Sequence, residues 1–371
     1  MNHEIVKEFT ELAKLDNPSL DERQVADHIL RRLRSMGFSP QEDDAGEKNS
    51  GTTGNILCEI PGDPEMDGIL FASHMDSVAP CTGKTIVVDD EYIQTDQTTV
   101  LGSDDLAGAS CMLELARSIR AGEVKGGTVW LLFTIAEEIG LLGAKSADLS
   151  MVDVPYAFVL DSNGEIGTAS ISSPSHNTLD ITVIGKAAHS GIEPEKGINA
   201  IQVAARAIDS LEMGRIDEET TSNIGIIEGG KARNIVCETV LVKAECRSRS
   251  ESKLETVTKE IGDAFQKACQ AYHAECVISV KNEYKAITLD PDSGILEKFK
   301  KACVKTGLPC ILEHSGGGSD TNIIHAKGIP AVNISVGMEN VHSVKERIKI
   351  KNLVLLSGLL KALVEGELAV V

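Results

Sequence analysis

A chain of 371 residues exceeds one ordinary domain, so two are expected, and a 42% hydrophobic share suits packed globular cores. The formal charge of −20 and an aromatic content of only 3% exclude a nucleic-acid partner, since phosphates would be repelled and bases would find no stacking platform. No apolar run reaches the ~18 residues of a membrane span, MNHEIVKEFTELAKLD lacks the regions of a signal peptide, and nine cysteines without a C-x-x-C pair read as reduced thiols, mostly core fillers, so a cytoplasmic protein is expected.

In chain order, an amphipathic helix is predicted over 3–15 and is broken at Asn17-Pro18-Ser19. Ser19 with Glu22 reads as a capping box for a second helix ended by Gly37. Strands follow in NILCEI and DGILFASHMDSV, then short ones in TIVV and EYIQT. A helix over about 105–120 starts on the Asp104–Asp105 pair. Next come strand 128–136, a short helix after Glu138, and strand AFVLD ending at Asp161. Strands alternating with helices predict an α/β sheet covered on both faces. From about 174 the order is β-α-β-β-α-β, a ferredoxin-like split unit ending in ECVISVKNEY. After about 287 the first style resumes with helix 293–306, strand PCILEH, helix 319–327, strand AVNISV and helix 346–365. The expected domains are therefore a discontinuous catalytic domain, 1–174 with 287–371, and an insertion, 175–286; no internal repeat is read.

The chemistry concentrates where strands end. Adjacent strand residues face opposite sides, so Glu137–Glu138 at the end of VWLLFTIA only make sense where the chain turns out of its sheet. One carboxylate can then bind a metal while the other handles protons. With His74, Asp76, Asp104–Asp105, Asp161 and His342 the order is H-x-D, DD, EE, D, H, that of a two-metal hydrolase. Open α/β sheets bind ligands at these strand ends. Carboxylate and imidazole ligands together suit zinc, or cobalt or manganese. Asp76 is expected to accept the far ring N–H of His74. His3, His28, His176, His273, His314 and His325 read as structural. No G-x-S-x-G is present, and SGGGSD lacks a phosphate loop's ending.

Through these motifs the chain resembles the zinc exopeptidases that include peptidase T, carboxypeptidase G, carnosinase and succinyl-diaminopimelate desuccinylase. It is most similar to the peptidase T-like branch, through GSDDLAG, TIAEEIGLLGA, SGGGSDTNII and the AAHSG at 187–191. The resemblance implies a three-layer αβα catalytic domain with a mixed sheet, plus an inserted ferredoxin-like α+β lid and dimerisation domain. It implies two divalent metal ions, one held by His74 and Asp161, the other by Glu138 and His342, with Asp104 bridging. Glu137 would be the general base acting on a metal-bridged water, Asp76 the partner of His74, and His189 the polariser of the scissile carbonyl. Arg233, Asn234, Gly317 and Ser319 would hold substrate, and the Asp104–Asp105 peptide would be cis. The implied activity is removal of the N-terminal residue from short peptides. The alternative is a deacylase or carboxypeptidase acting on N-acyl amino acids or related amides. Implied partners are a short peptide and a second copy through the lid, with no nucleic acid and no membrane. Leu106 stands where family members often carry lysine (DDKAG), so any charge that lysine lends is lost and tripeptide preference is in question.

Overall fold

The computed structural model describes residues 4–365, and His3 lies outside them. The described chain falls into two compact units. The first takes residues up to Ile171, Leu289–His314 and Ser319 onward; the second takes Ser172–Thr288 with Ser315–Gly318.

The first unit is organised by a mixed sheet in the order Gln41–Glu42, Ile56–Ile60, Val129–Thr134, Ile69–His74, Tyr156–Ser162, Ala331–Ser335 and Thr168–Ser173. Its four middle strands run parallel, from Val129–Thr134 to Ala331–Ser335. The flanking Ile56–Ile60 and Thr168–Ser173 run antiparallel. Every residue of Ile69–His74 and Val129–Thr134 is buried, as strands covered on both faces require. Leu70, Ala72, Trp130, Leu132, Ala157 and Val159 form one core with Ile324 and Ile329. Phe71 meets Phe158 with ring centroids 6.0 Å apart. Helix Ser103–Arg120 packs on the sheet, and helices Glu4–Ala13 and Ile350–Glu365 pack on that helix.

A four-stranded sheet joins Met338–Glu339, Arg347–Lys349, Tyr92–Thr95 and Ile86–Val88. The last helix was expected from 346, yet residues 347–349 pair as a strand and the helix starts at Ile350. Side-chain contacts favour that pairing: the Arg347 guanidinium lies 4.2 Å from the Tyr92 ring centroid and reaches the Glu339 carboxylate.

The second unit is an antiparallel sheet in the order Gly214–Arg215, Thr220–Gly229, Thr239–Ser248, Ser175–Ile184, Glu275–Tyr284. Helices Ala200–Asp209 and Glu251–Tyr272 cover one face. Leu179, Ile181 and Val183 alternate inward and meet Val240, Val242, Ile261 and Phe265. This is the ferredoxin-like arrangement. The glycine segment 315–318, expected in the first domain, packs here instead. Ser315 N–H donates to the Ser172 carbonyl at 2.8 Å, and a Cβ at Gly318 would come within 2.3 Å of the Tyr284 ring. Among the described residues no helix is long and apolar enough to cross a membrane.

Glu8 ties the first two helices together. It is buried, lies 2.9 Å from His28 Nε2, and accepts three further bonds from the Arg32 guanidinium. Burial pushes its carboxyl up, but His28 and Arg32 outweigh that and hold it below the usual range. A depressed folded-state pKa gives stability that is complete above the unfolded value, ~4.3, and is lost as pH falls from there through the lower folded value. Glu8→Gln therefore lowers the urea midpoint at neutral pH and flattens its decline below about pH 5. A variant whose acid limb matches the parent's would show that this cluster contributes nothing.

Candidate active site

The carboxylate pair is turned out of the sheet by backbone geometry. Strand Val129–Thr134 ends, and Ala136 takes a left-handed φ of +49°. The following amides are then gripped: Ala136 N–H donates to Glu22 at 3.0 Å, and Glu137 and Glu138 N–H donate to the Asp76 carboxylate at 3.0 and 3.3 Å.

Two sequence readings need correction here. The helix after Pro18 starts at Arg23, with no side-chain cap from Glu22. Ser19 instead donates to Asp76 at 2.6 Å, and Glu22 accepts from the Leu20 and Ala136 amides. What reads as a local capping box is long-range support for the glutamate turn. Nor is the Asp76 carboxylate the nearer partner of His74. The ring Nδ1 lies 3.0 Å from the Asp76 carbonyl and 3.4 Å from its carboxylate, whose oxygens also accept from Ser19 and the two glutamate amides.

Asp104 stands in the middle of the site. Its Oδ1 lies 3.1 Å from His74 Nε2 and its Oδ2 lies 3.2 Å from His342 Nε2. Asp161 approaches His74 Nε2 at 3.7 Å, and Glu138 approaches His342 Nε2 at 3.1 Å. His74, Asp104 and Glu138 offer ligand atoms all within 4.8 Å of one another, a candidate metal site. His74 closes its strand, Asp161 lies near the end of Tyr156–Ser162, His342 follows Met338–Glu339, and Asp104 opens helix Ser103–Arg120.

Residues not anticipated hold this set in place. Glu346 is buried and accepts from the Leu101, Gly102 and Asp104 amides at 2.8, 2.8 and 3.0 Å and from the Ser103 hydroxyl at 2.6 Å. The Asp104–Asp105 peptide is cis. Asn333 accepts from the Asp161 amide and donates to the Asp161 carbonyl. Leu106 is fully buried. Even so, a Cβ on Gly102 would lie 3.0 Å from the Lys84 ammonium and 3.4 Å from Leu106, so a cation stands close to that apolar position. Lys84 donates to Asn17 at 2.6 Å, and burial pushes it down to about 8. Glu346 and Lys84 carry no motif; only three-dimensional proximity reveals them.

The donor set is electrostatically suited to cations. Burial alone would lower His74, but Asp104, Asp161 and Asp76 raise it well above the usual imidazole value. Hydrogen bonds to Asp104 and Glu138 raise His342 to about 10. Burial, with the Asp104 and Glu138 charges, pushes Asp161 up to about 7 against the His74 contact. Burial and Asp161 push Glu137 well above the usual carboxyl range. So many carboxylates gathered out of water hold protons between them, and divalent cations take the place of such protons.

The remaining expected residues lie on the second unit, apart from Ser319. His189 is exposed and bridges to Ile235, while Ser190 N–H donates to the Asn234 carbonyl at 3.0 Å. His189, exposed Arg233 and exposed Asn234 thus share one loop pair. Gly317 N–H donates to Ser315 Oγ, and Arg247 Nη1 lies 4.0 Å from where a Gly317 Cβ would be. Ser319 is buried. Its hydroxyl donates to Thr321 Oγ1 at 2.9 Å and accepts from Thr321 N–H, and its amide donates to Asn322, in a helix cap.

Comparison with known proteins places this geometry. Residues 171–273 match the family described as Peptidase dimerisation domain, and residues 55–196 match Peptidase family M28. The aminopeptidase PepT of Bacillus cereus ATCC 10987 is 36% identical, covers 97% of each chain and superposes with a TM-score of 0.88. The chain belongs to the M20 peptidase family, in its peptidase T-like branch. A tripeptidase of Staphylococcus aureus subsp. aureus Mu50 superposes on this M20 peptidase with a TM-score of 0.92 at 31% identity, again over 97% of both chains. An uncharacterized Bacillus subtilis (strain 168) protein, YqjE, is 38% identical over 97% of both. The chain is a hydrolase acting on peptides.

Proposed function

We propose that this M20 peptidase is an aminopeptidase that removes the N-terminal residue of short peptides, tripeptides in particular. One observation carries the reading: Asp104 presents one oxygen to His74 and the other to His342, the arrangement expected of a carboxylate shared by two cations. The relatives named above as an aminopeptidase and a tripeptidase support the substrate class. His74 and Asp161 would hold one ion, Glu138 and His342 the other, and Asp104 both; zinc suits this set, with cobalt or manganese as substitutes. When bound, the ions supply Lewis-acid activation of water and of the scissile carbonyl.

The chain's own residues do the rest. Glu137 takes a proton from the attacking water and passes it to the leaving amine as the C–N bond breaks. Asp76 holds the Glu137 and Glu138 amides and steadies the His74 ring. His189 donates to the carbonyl oxygen as negative charge develops there. Arg233, Asn234, Gly317 and Ser319 bind the substrate backbone and its carboxylate. The catalytic domain is taken as 1–174 with 287–371, apart from the 315–318 segment, and the 175–286 insertion serves as lid and as contact with a second copy, in the cytoplasm.

The decisive measurement compares an unblocked tripeptide with its N-acetylated form on the zinc- and cobalt-loaded enzyme. Release of the first amino acid from the free-amine substrate, with at least a hundredfold lower rate on the blocked one, is expected. Turnover confined to blocked substrates would instead identify a deacylase or carboxypeptidase.

A further inference from the structure

Four cysteines that the peptidase chemistry does not use occur as two copies of one motif. Phe265-Gln-Lys-Ala-Cys269 is followed by Cys276, and Phe299-Lys-Lys-Ala-Cys303 by Cys310, so F-x-K-A-C-x6-C occurs twice, contrary to the expectation of no internal repeat. Both copies fold alike although one lies in each unit. Phe265 and Phe299 are fully buried one turn before the first cysteine. Helix Glu251–Tyr272 ends in a left-handed His273 (φ +58°), helix Gly294–Thr306 in a left-handed Gly307 (φ +69°). The residue after each, Ala274 or Leu308, donates its N–H back to the carbonyl of Cys269 or Cys303 at 2.9 Å, the closing bond of a Schellman cap. The chain then doubles back, and in each copy the two thiols interact with one another. Cys269 Sγ reaches the carbonyl of Glu275, next to Cys276, at 3.6 Å.

We propose that Cys269–Cys276 and Cys303–Cys310 are two dithiol modification sites, each closing to an intrachain disulfide when the enzyme meets a hydroperoxide. In each pair one thiol is accessible and one sheltered: Cys310 is exposed and Cys276 half-buried, while Cys303 and Cys269 are buried. Cys310 attacks the peroxide, its S–H is replaced by S–OH, and water leaves. Cys303 sulfur then attacks the sulfenic sulfur. The S–S bond forms, the S–O bond breaks, and the departing hydroxide carries off the Cys303 proton as a second water. Cys276 and Cys269 follow the same two steps. Burial, reinforced by the neighbouring thiol, pushes both Cys303 and Cys269 up to about 12.

The test treats the full-length, metal-loaded enzyme with hydrogen peroxide, blocks remaining thiols under denaturing conditions and maps peptides by mass spectrometry. Cross-links 269–276 and 303–310 are expected, reversible by dithiothreitol, with the buried Cys58, Cys81, Cys111, Cys237 and Cys246 still free. Cys310→Ser and Cys276→Ser alter accessible positions and fold; each removes one cross-link and leaves the other. Cys276 and Cys310 recovered as sulfinic or sulfonic acids beside free Cys269 and Cys303, or joined to a second chain, would overturn the proposal.

Discussion

Glu137→Gln lowers peptide turnover by about 10²- to 10⁴-fold while leaving bound metal unchanged. The substitution keeps the side chain's volume and the backbone bond from Glu137 N–H to Asp76, so the turn that carries Glu138 stays in place. It removes only the group able to accept a proton. Glu137 lies beside Asp161, whose charge together with burial favours its protonated form, so it is poised to hold and release a proton. The control is Asp161→Asn, which removes a proposed ligand and so lowers metal content together with rate. Elemental analysis and kcat measured on the same preparations separate the two. A Glu137→Gln enzyme within tenfold of the parent would move the base to another carboxylate, with buried Asp320, bonded to Thr134, the first to examine.

The second large effect is expected at Glu346, which touches no proposed ligand side chain. Its carboxylate accepts three amides and one hydroxyl from consecutive residues 101–104. Glu346→Ala leaves those buried donors without an acceptor, and each costs about 1–3 kcal/mol when unpaired. Loss of such a buried network destabilises by about 3–5 kcal/mol. The same change frees the segment that aims Asp104 between the two histidines, so metal affinity falls by about 10- to 100-fold. Glu346→Gln, which keeps one acceptor oxygen, falls between variant and parent in both respects. Calorimetric titration with zinc and urea unfolding of the metal-free protein read the two effects apart. An alanine variant that binds zinc and unfolds like the parent would show that the amide cluster is incidental.

Both experiments probe a site that was only half legible in the sequence. His74, Asp104, Glu138, Asp161 and His342 could be picked out because each is a chemically marked residue following a recognisable strand, in a characteristic order. The fold brings the other four side chains together around Asp104. Their supports could not be read, because Glu346, Asn333 and Glu22 act mainly on backbone groups far away in sequence, which imposes no spacing pattern. Ser19 and Glu22 misled for the opposite reason: their spacing satisfies a local rule, yet both side chains serve the Asp76 turn. The same limit applies to the fold. Long apolar or alternating runs such as VWLLFT and LDITVI gave their strands away, whereas the short Arg347–Lys349 strand depends on Tyr92 and Glu339 and left no periodic trace.

The interrupted order of the first unit sets a schedule for synthesis. Ala331–Ser335 lies between Tyr156–Ser162 and Thr168–Ser173, so the large sheet lacks an interior member until that late segment leaves the ribosome. All strands of the insertion lie between Ser175 and Tyr284 and can assemble sooner. At ~5–20 residues per second, the nascent chain holds an open apolar slot beside Tyr156–Ser162 for on the order of ten seconds. During that interval the half-built sheet is a natural client for a chaperone, and the finished insertion is not.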